Sequence, residues 1–250
     1  MNRIIILLGL LLAAGTVQAQ YTAQGKIEFE RKMNIHRQME EWEEDNSNSE
    51  WVERFKSQLP KFYSSYFNLS FNGKKTMYRP GKETENPMKM FGGGGPAAEN
   101  IVLTDLQAHR VSAAKQIYEQ KFMVEDSVRN MQWKITDEIR TIANYKCRKA
   151  VGKICDSVYV VAFYTEDIMV SGGPEMFGGL PGMILELAVP RLATTWVATK
   201  VEINPPAETD FTMPPAKGKK VTQKEMYQTL QSGLKDWGKY ASRNIWWSML

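Results

Sequence analysis

Apolar and charged residues alternate from Gly25 to Met33, with Ile27, Phe29 and Arg31 on one phase, which predicts a half-buried opening strand. The period then lengthens. Ile35, Met39 and Trp42, and after them Trp51, Phe55 and Leu59, recur at helical spacing around the polar break from Asp45 to Ser49. Two short helices follow from this, the second capped by Ser47 or Ser49 and stopped by Pro60. The acids Glu40, Glu41, Glu43, Glu44 and Asp45 read as a solvated face. Tyr66, Phe67, Leu69 and Phe71 mark a strand over Tyr63 to Phe71, Asn72-Gly73 a hairpin turn, and Lys75 to Arg79 its return. Pro80 to Ala98 is punctuated by Pro80-Gly81, Pro87 and Gly92-Gly93-Gly94-Gly95-Pro96, so it is expected to be an exposed, mobile loop at 80–98 carrying Met88, Met90 and Phe91.

From Asn100 onward strand patterns succeed one another: Ile101 to Leu103, Arg110 to Ser112, Lys121 to Val124, Met131 to Ile135, Ala143 to Val151, Val158 to Thr165 and Thr194 to Ile203. Thr222 to Tyr240 returns to helical period through Met226, Leu230, Leu234 and Trp237, with Thr222 and Glu225 forming a capping box. The apolar end, Ile245 to Leu250, is expected to dock on the body. No period of 20–50 residues repeats. The expected class is α+β: a curved antiparallel β-sheet, half-barrel-like, with an early helical pair and a C-terminal helix, its trough a natural ligand site.

The stretch around which these elements are arranged runs from Ser171 to Leu187. Gly172, Gly173, Gly178, Gly179 and the prolines Pro174 and Pro181 impose a fixed, sharply turned path, because glycine reaches φ > 0 and proline locks φ near −65°. Met183 to Val189 follows as a strand with Glu186 its lone charge. Gly179-Leu180-Pro181-Gly182-Met183-Ile184 resembles the signature of the GLPGLI family, exported proteins typical of Bacteroidetes. Tyr145-Lys146-Cys147-Arg148-Lys149-Ala150 resembles that family's upstream Tyr-x-Cys-x-Lys-Ala strand, and Phe163 to Ile168 its aromatic-Tyr-Thr-x-x-Ile segment. Gly173-Pro174 and Phe177 stand where the family has Gly-Pro and Phe, while Met183 replaces the usual Leu. The resemblance implies export and leaves the biochemistry open, since the family's activity is not settled.

Arg3, the apolar run Ile4 to Ala14 and the small-x-small site Val17-Gln18-Ala19 predict a signal peptide over residues 1–19, and a single domain over 20–250. The run is too short for a comfortable membrane span. The net charge of +4, close to +3 once Arg3 leaves with the signal, is dispersed and excludes a nucleic-acid footprint. Lys217-Gly218-Lys219-Lys220 reads as a solvated loop. Cys147 and Cys155 are candidates for a disulfide in an oxidising compartment, if their Cα atoms come within about 7 Å; otherwise one is buried and the other an exposed thiol.

Catalytic signatures are missing from the sequence. His36 and His109 belong to no His-Glu-x-x-His pattern, Gly-x-Ser-x-Gly is absent, and Gly92 to Gly95 lacks the Lys-Ser/Thr of a phosphate loop. Asp137-Glu138 and Glu166-Asp167 read as turn or strand-end acids. Met33, His36 and Met39, at spacings of three, form a soft thioether–imidazole set that would suit Cu(I); the competing reading packs the methionines in the core. Three functions are carried forward. The first is an exported non-enzymatic envelope protein, periplasmic, outer-membrane associated or extracellular, that binds an apolar or peptide ligand in the trough. The second is an accessory partner of an outer-membrane TonB-dependent receptor, for Cu(I) or another metal. The third is an enzyme with an unrecognised site.

Overall fold

The structure, a computed structural model, describes residues 22–43, 49–84, 97–215 and 218–250. The expected signal peptide and the core of the Gly/Met loop, residues 85–96, lie outside them. Strands β1 (Gly25–Asn34), β2 (Phe62–Phe71), β3 (Lys75–Pro80), β4 (Ile101–Asp105), β5 (Arg110–Ile117), β6 (Gln120–Ser127), β7 (Lys134–Ile142), β8 (Tyr145–Ile154), β9 (Val158–Thr165), β10 (Met183–Val189), β11 (Thr194–Glu202) and β12 (Lys219–Val221) form one sheet. Its order is β12-β6-β5-β4-β3-β2-β1-β11-β10-β9-β8-β7. The helices are α1 (Ile35–Glu43), α2 (Ser49–Gln58), α3 (Gln223–Gly233) and α4 (Lys239–Ser248). The expected helical pair is α1 and α2, and Thr222 caps α3 with Glu225 reciprocating as the spacing predicts.

The α+β, antiparallel, half-barrel expectation is overturned. Among the described residues strand far outweighs helix, and the helices are few and short, so the class is mainly β; the sheet is mixed and not closed into a barrel. The reason is local. The basic cluster read as a loop supplies β12, which lies parallel to β6 with Val221 against Val124. Lys219 and Lys220 stay exposed while Val221 is buried, a short charged edge of the kind that resists further strand addition. Met131 to Trp133 also falls outside the strands, and β7 instead runs on to Ile142 through an irregularity between Ile135 and Ile139.

The core lies on one face of the sheet. Ile27, Phe29, Arg31 and Met33 alternate inward on β1, flanked in register by Phe67 and Leu69 of β2 and by Trp196 of β11. Tyr78, Val102, Ala113 and Val124 continue that face across β3 to β6. The apolar C-terminus docks on it: Trp247 of α4 is 1% exposed and lies 6.4 Å, ring to ring, from Trp196. Burying a pair of indoles of this size contributes several kcal/mol, on the order of 25 cal/mol per Å² of apolar surface.

Candidate functional site

Between β9 and β10 the chain from Ser171 to Gly182 enters the core as an irregular but ordered loop. Met176, Phe177 and Leu180 are buried. The Phe177 amide donates to Pro174 O (3.2 Å), the Met183 amide to Ile168 O (3.1 Å) and the Ile184 amide to Gly172 O (2.8 Å). Ser171 Oγ accepts from the Gly179 amide at 2.8 Å. Gly179 has φ +84°, and a Cβ on Gly182 would stand 2.0 Å from Thr165 O, so neither position tolerates a side chain. Gly173, Pro174, Phe177, Gly179, Leu180, Pro181, Gly182, Met183 and Ile184 thus form one fixed bend that delivers Met183 and Ile184 into β10.

At the crest of the bend Glu175 takes φ +56° and is 2% exposed. A non-glycine residue held in that region is strained, and the carboxylate contacts supply the compensation. Glu175 Oε2 accepts from Asn100 Nδ2 at 2.7 Å and Oε1 from the Tyr78 hydroxyl at 3.4 Å. Tyr78 in turn accepts from Trp196 Nε1 at 3.0 Å. Two buried cations flank this group. Arg31 donates to Ser65 Oγ (3.0 Å) and Ala97 O (2.8 Å) and lies 4.8 Å from the centroid of Phe67. Lys115 donates to Ser248 O (3.0 Å) and Leu250 O (3.1 Å). Burial pushes the Glu175 carboxyl up, against the pull of Lys115 and the Asn100 hydrogen bond. Burial also lowers Arg31 and brings Lys115 from 10.5 down to about 8, with Glu175 opposing both shifts. The Tyr78 hydroxyl is pushed far up by burial and by Glu175.

A cleft of about 370 Å³, lined in part by Arg129 to Met131, lies next to the bend. Trp133 Nε1 donates to Gly178 O at 2.9 Å, and the Arg129 guanidinium carbon lies 5.9 Å from the Phe177 ring centroid. The motif bend therefore supports the cleft wall from beneath. Arg129, Met131, Lys153, Ile154, Tyr227 and Met249 line the cleft, joined by Asn130, Cys155 and Asp156. Arg129 Nε and Nη2 donate to Gln223 Oε1 (3.2 and 2.9 Å) and Nη2 to Met249 O (2.5 Å). Its Nη1 is sealed from solvent and meets no acceptor among the described residues. A second, polar groove of about 300 Å³ crosses the opposite face at Lys26, Glu28, Arg79, Lys200, Glu202 and Asp210. Its charges are mutually satisfied: Lys26 pairs with Asp210, Lys200 with Glu202, and Arg79 donates to Asp210 O. Glu175 lines neither cleft.

The remaining candidates scatter. Met33 sits in the main core and Met39 in a small separate cluster with Ile35, while His36 Nε2 lies 2.9 Å from Leu59 O. The three do not share one cluster. No group of three or more His, Cys, Asp or Glu able to hold a metal occurs among the described residues. Cys147 and Cys155 are free thiols, the first buried and the second partly exposed in the β8–β9 turn. Glu166 and Asp167 occupy an exposed turn after β9 and line neither cleft.

Residues 152–186 match the model of a family described as "Protein of unknown function (Porph_ging)". That span holds both the motif bend and the cleft residues Lys153 to Asp156. No curated protein matches the chain. Two solved structures are similar in fold, both of PNGF-II. The P21 form has a TM-score of 0.52 at 16% identity and covers 83% of this chain; the C2 form has 0.50 at 16% and covers 90%. The matched region is 32% and 33% of those longer chains. An uncharacterized conserved protein from Thermus thermophilus is similar at a TM-score of 0.40 and 7% identity, over 82% of this chain and 94% of its own.

Proposed function

We propose that the chain is an exported, non-catalytic binding module of the cell envelope that takes an apolar or peptide ligand, as its resemblance to the GLPGLI family and its apolar leader suggest. The observation that carries this reading is the rim cleft hung on the motif bend. Most of the sheet's inner face is filled by the bend, α4 and Trp247, so a trough ligand would have to displace them. The cleft instead offers about 370 Å³ with Met131, Ile154, Tyr227 and Met249 as apolar lining, near the lower end of ligand-pocket sizes. A rigid wall suits binding, because a preformed site loses little conformational entropy when filled. Native mass spectrometry of protein purified from its own envelope tests this. A retained ligand that leaves on Met131→Trp substitution supports the reading, and a consistently empty species counts against it.

A second reading, an accessory partner of an outer-membrane TonB-dependent receptor, draws on β7. This edge strand exposes Ile135 and Ile139, at 44% and 60%, and among the described residues it pairs only with β8. Crosslinking in intact cells that recovers no membrane protein would count against it.

A further inference from the structure

Arg129 is half-buried, and among the described residues its guanidinium donates only to neutral acceptors: the Gln223 side-chain amide oxygen and the Met249 carbonyl. Among the described residues no carboxylate lies within 4.0 Å of it. Cys155 and, after it, Asp126 act on it electrostatically, and neither is hydrogen-bonded to it. A donor sealed from solvent without an acceptor, as Nη1 is among the described residues, costs stability that an acceptor on a ligand would restore. The cleft that Arg129 lines adds a second cation, Lys153, against the single acid Asp156, with Asn130 and Cys155 beside the apolar Met131, Ile154, Tyr227 and Met249.

We propose that this cleft is a receptor for a carboxylate borne on an apolar body, with Arg129 taking the carboxylate and Met131, Ile154, Tyr227 and Met249 the body. The proposal rests on the binding reading above and names its ligand class. Nη1 is closed to solvent with the cleft empty. Met131 and Met249 line the cleft beside Arg129, and their unbranched thioether chains can rotate to admit a ligand. The guanidinium is held in orientation by Gln223 and Met249, so a carboxylate gains a charge-assisted hydrogen bond without further ordering of the arginine. Two sources share this chemistry: a peptide ending in a large apolar residue, and a free fatty acid.

Calorimetric titration of the full chain separates them. One arm uses decanoate against its methyl ester. The other uses N-acetyl-Ala-Ala-Leu with a free C-terminus against the same peptide amidated. The carboxylate of at least one arm should bind about tenfold or more tightly than its neutral analogue, a ratio that shrinks as salt rises. Lys153→Met, at the rim, should weaken that binding about three- to tenfold while leaving the thermal midpoint unchanged. Arg129→Lys, which keeps the charge but loses the fork, should abolish the preference. Equal affinity of carboxylate and neutral analogue overturns the carboxylate assignment and leaves the binding reading standing. No binding in either arm overturns the assignment too, and an empty species by native mass spectrometry then removes the binding reading with it.

Discussion

Lys115 offers a quantitative test of how the C-terminal residues are held. It points inward from β5, 3% exposed, and its ammonium donates to the carbonyls of Ser248 and Leu250. Burial pushes it down from 10.5 to about 8; Glu175 opposes that shift and Arg129 adds to it. The folded protein therefore releases this proton near pH 8, whereas the unfolded chain keeps it until about 10.5. Between those values the unfolded state binds more protons, so stability rises with pH. Spread over that interval at 1.36 kcal/mol per pH unit, the gain is about 3 kcal/mol. Other groups pull the opposite way: burial raises the Cys147 thiol from 9.0 to about 12, which removes stability as the pH climbs above 9.0. Lys115→Met keeps the length of the side chain and deletes only the titration and its two hydrogen bonds. The difference between wild type and variant cancels Cys147 and every other distant group. Urea unfolding followed by tryptophan fluorescence from about pH 7 to 10.5 measures it. The difference should be flat below pH 8 and then grow in favour of wild type by about 3 kcal/mol. Parallel stability curves across the whole range would refute the burial of Lys115 beneath the C-terminal segment.

Gly182→Ala should cost about 3 kcal/mol or more in the same assay, because its Cβ would collide with Thr165 O, whereas Gly233→Ala at the end of α3 meets nothing within 4 Å and should add up to about 1 kcal/mol. Glu175→Leu should destabilise by about 3–5 kcal/mol by leaving Arg31, Lys115 and Asn100 without their anion, and Glu175→Gln by markedly less, since an amide still accepts from Asn100. Iodoacetamide labelling near pH 8 should modify Cys155 in the native protein and Cys147 only after unfolding, as read by intact mass; native labelling of Cys147 would contradict its burial. Anaerobic Cu(I) titration should give equal affinity for wild type and Met33→Leu/Met39→Leu, because the two methionines pack in different clusters.

The strands from β1 to β3 and from β8 to β11 were legible because their periods are clean and their turns carry Asn-Gly, Gly or Pro. The class was misread because the four helices are short beside a sheet of twelve strands, and the sheet was taken as purely antiparallel because β12 is three residues long and hidden in a basic run. A parallel edge strand stabilised by one buried valine leaves almost no periodic signal. The motif bend announced its rigidity through Gly and Pro, but not what holds it. Arg31 and Lys115 did leave a trace, a charge on the inward phase of an alternating strand beside Phe29 and Ala113, and such a charge demands a buried partner. Glu175 was one acid among apolar neighbours in the bend. Its meeting with Asn100 and Tyr78, far away in sequence, is a product of topology alone. Arg129 gave no local signal, since its lack of a counterion becomes visible only in three dimensions.

The cleft wall rests on a bend that is locked into the sheet. Native-state hydrogen exchange of the Phe177, Met183 and Ile184 amides tests this most directly. Their exchange should require an opening free energy within about 1 kcal/mol of global unfolding in wild type, and should become faster in Glu175→Leu before the amides of β1 and β2 are affected. Exchange of these three amides at near-unfolded rates in the intact protein would show a loose loop and contradict the account.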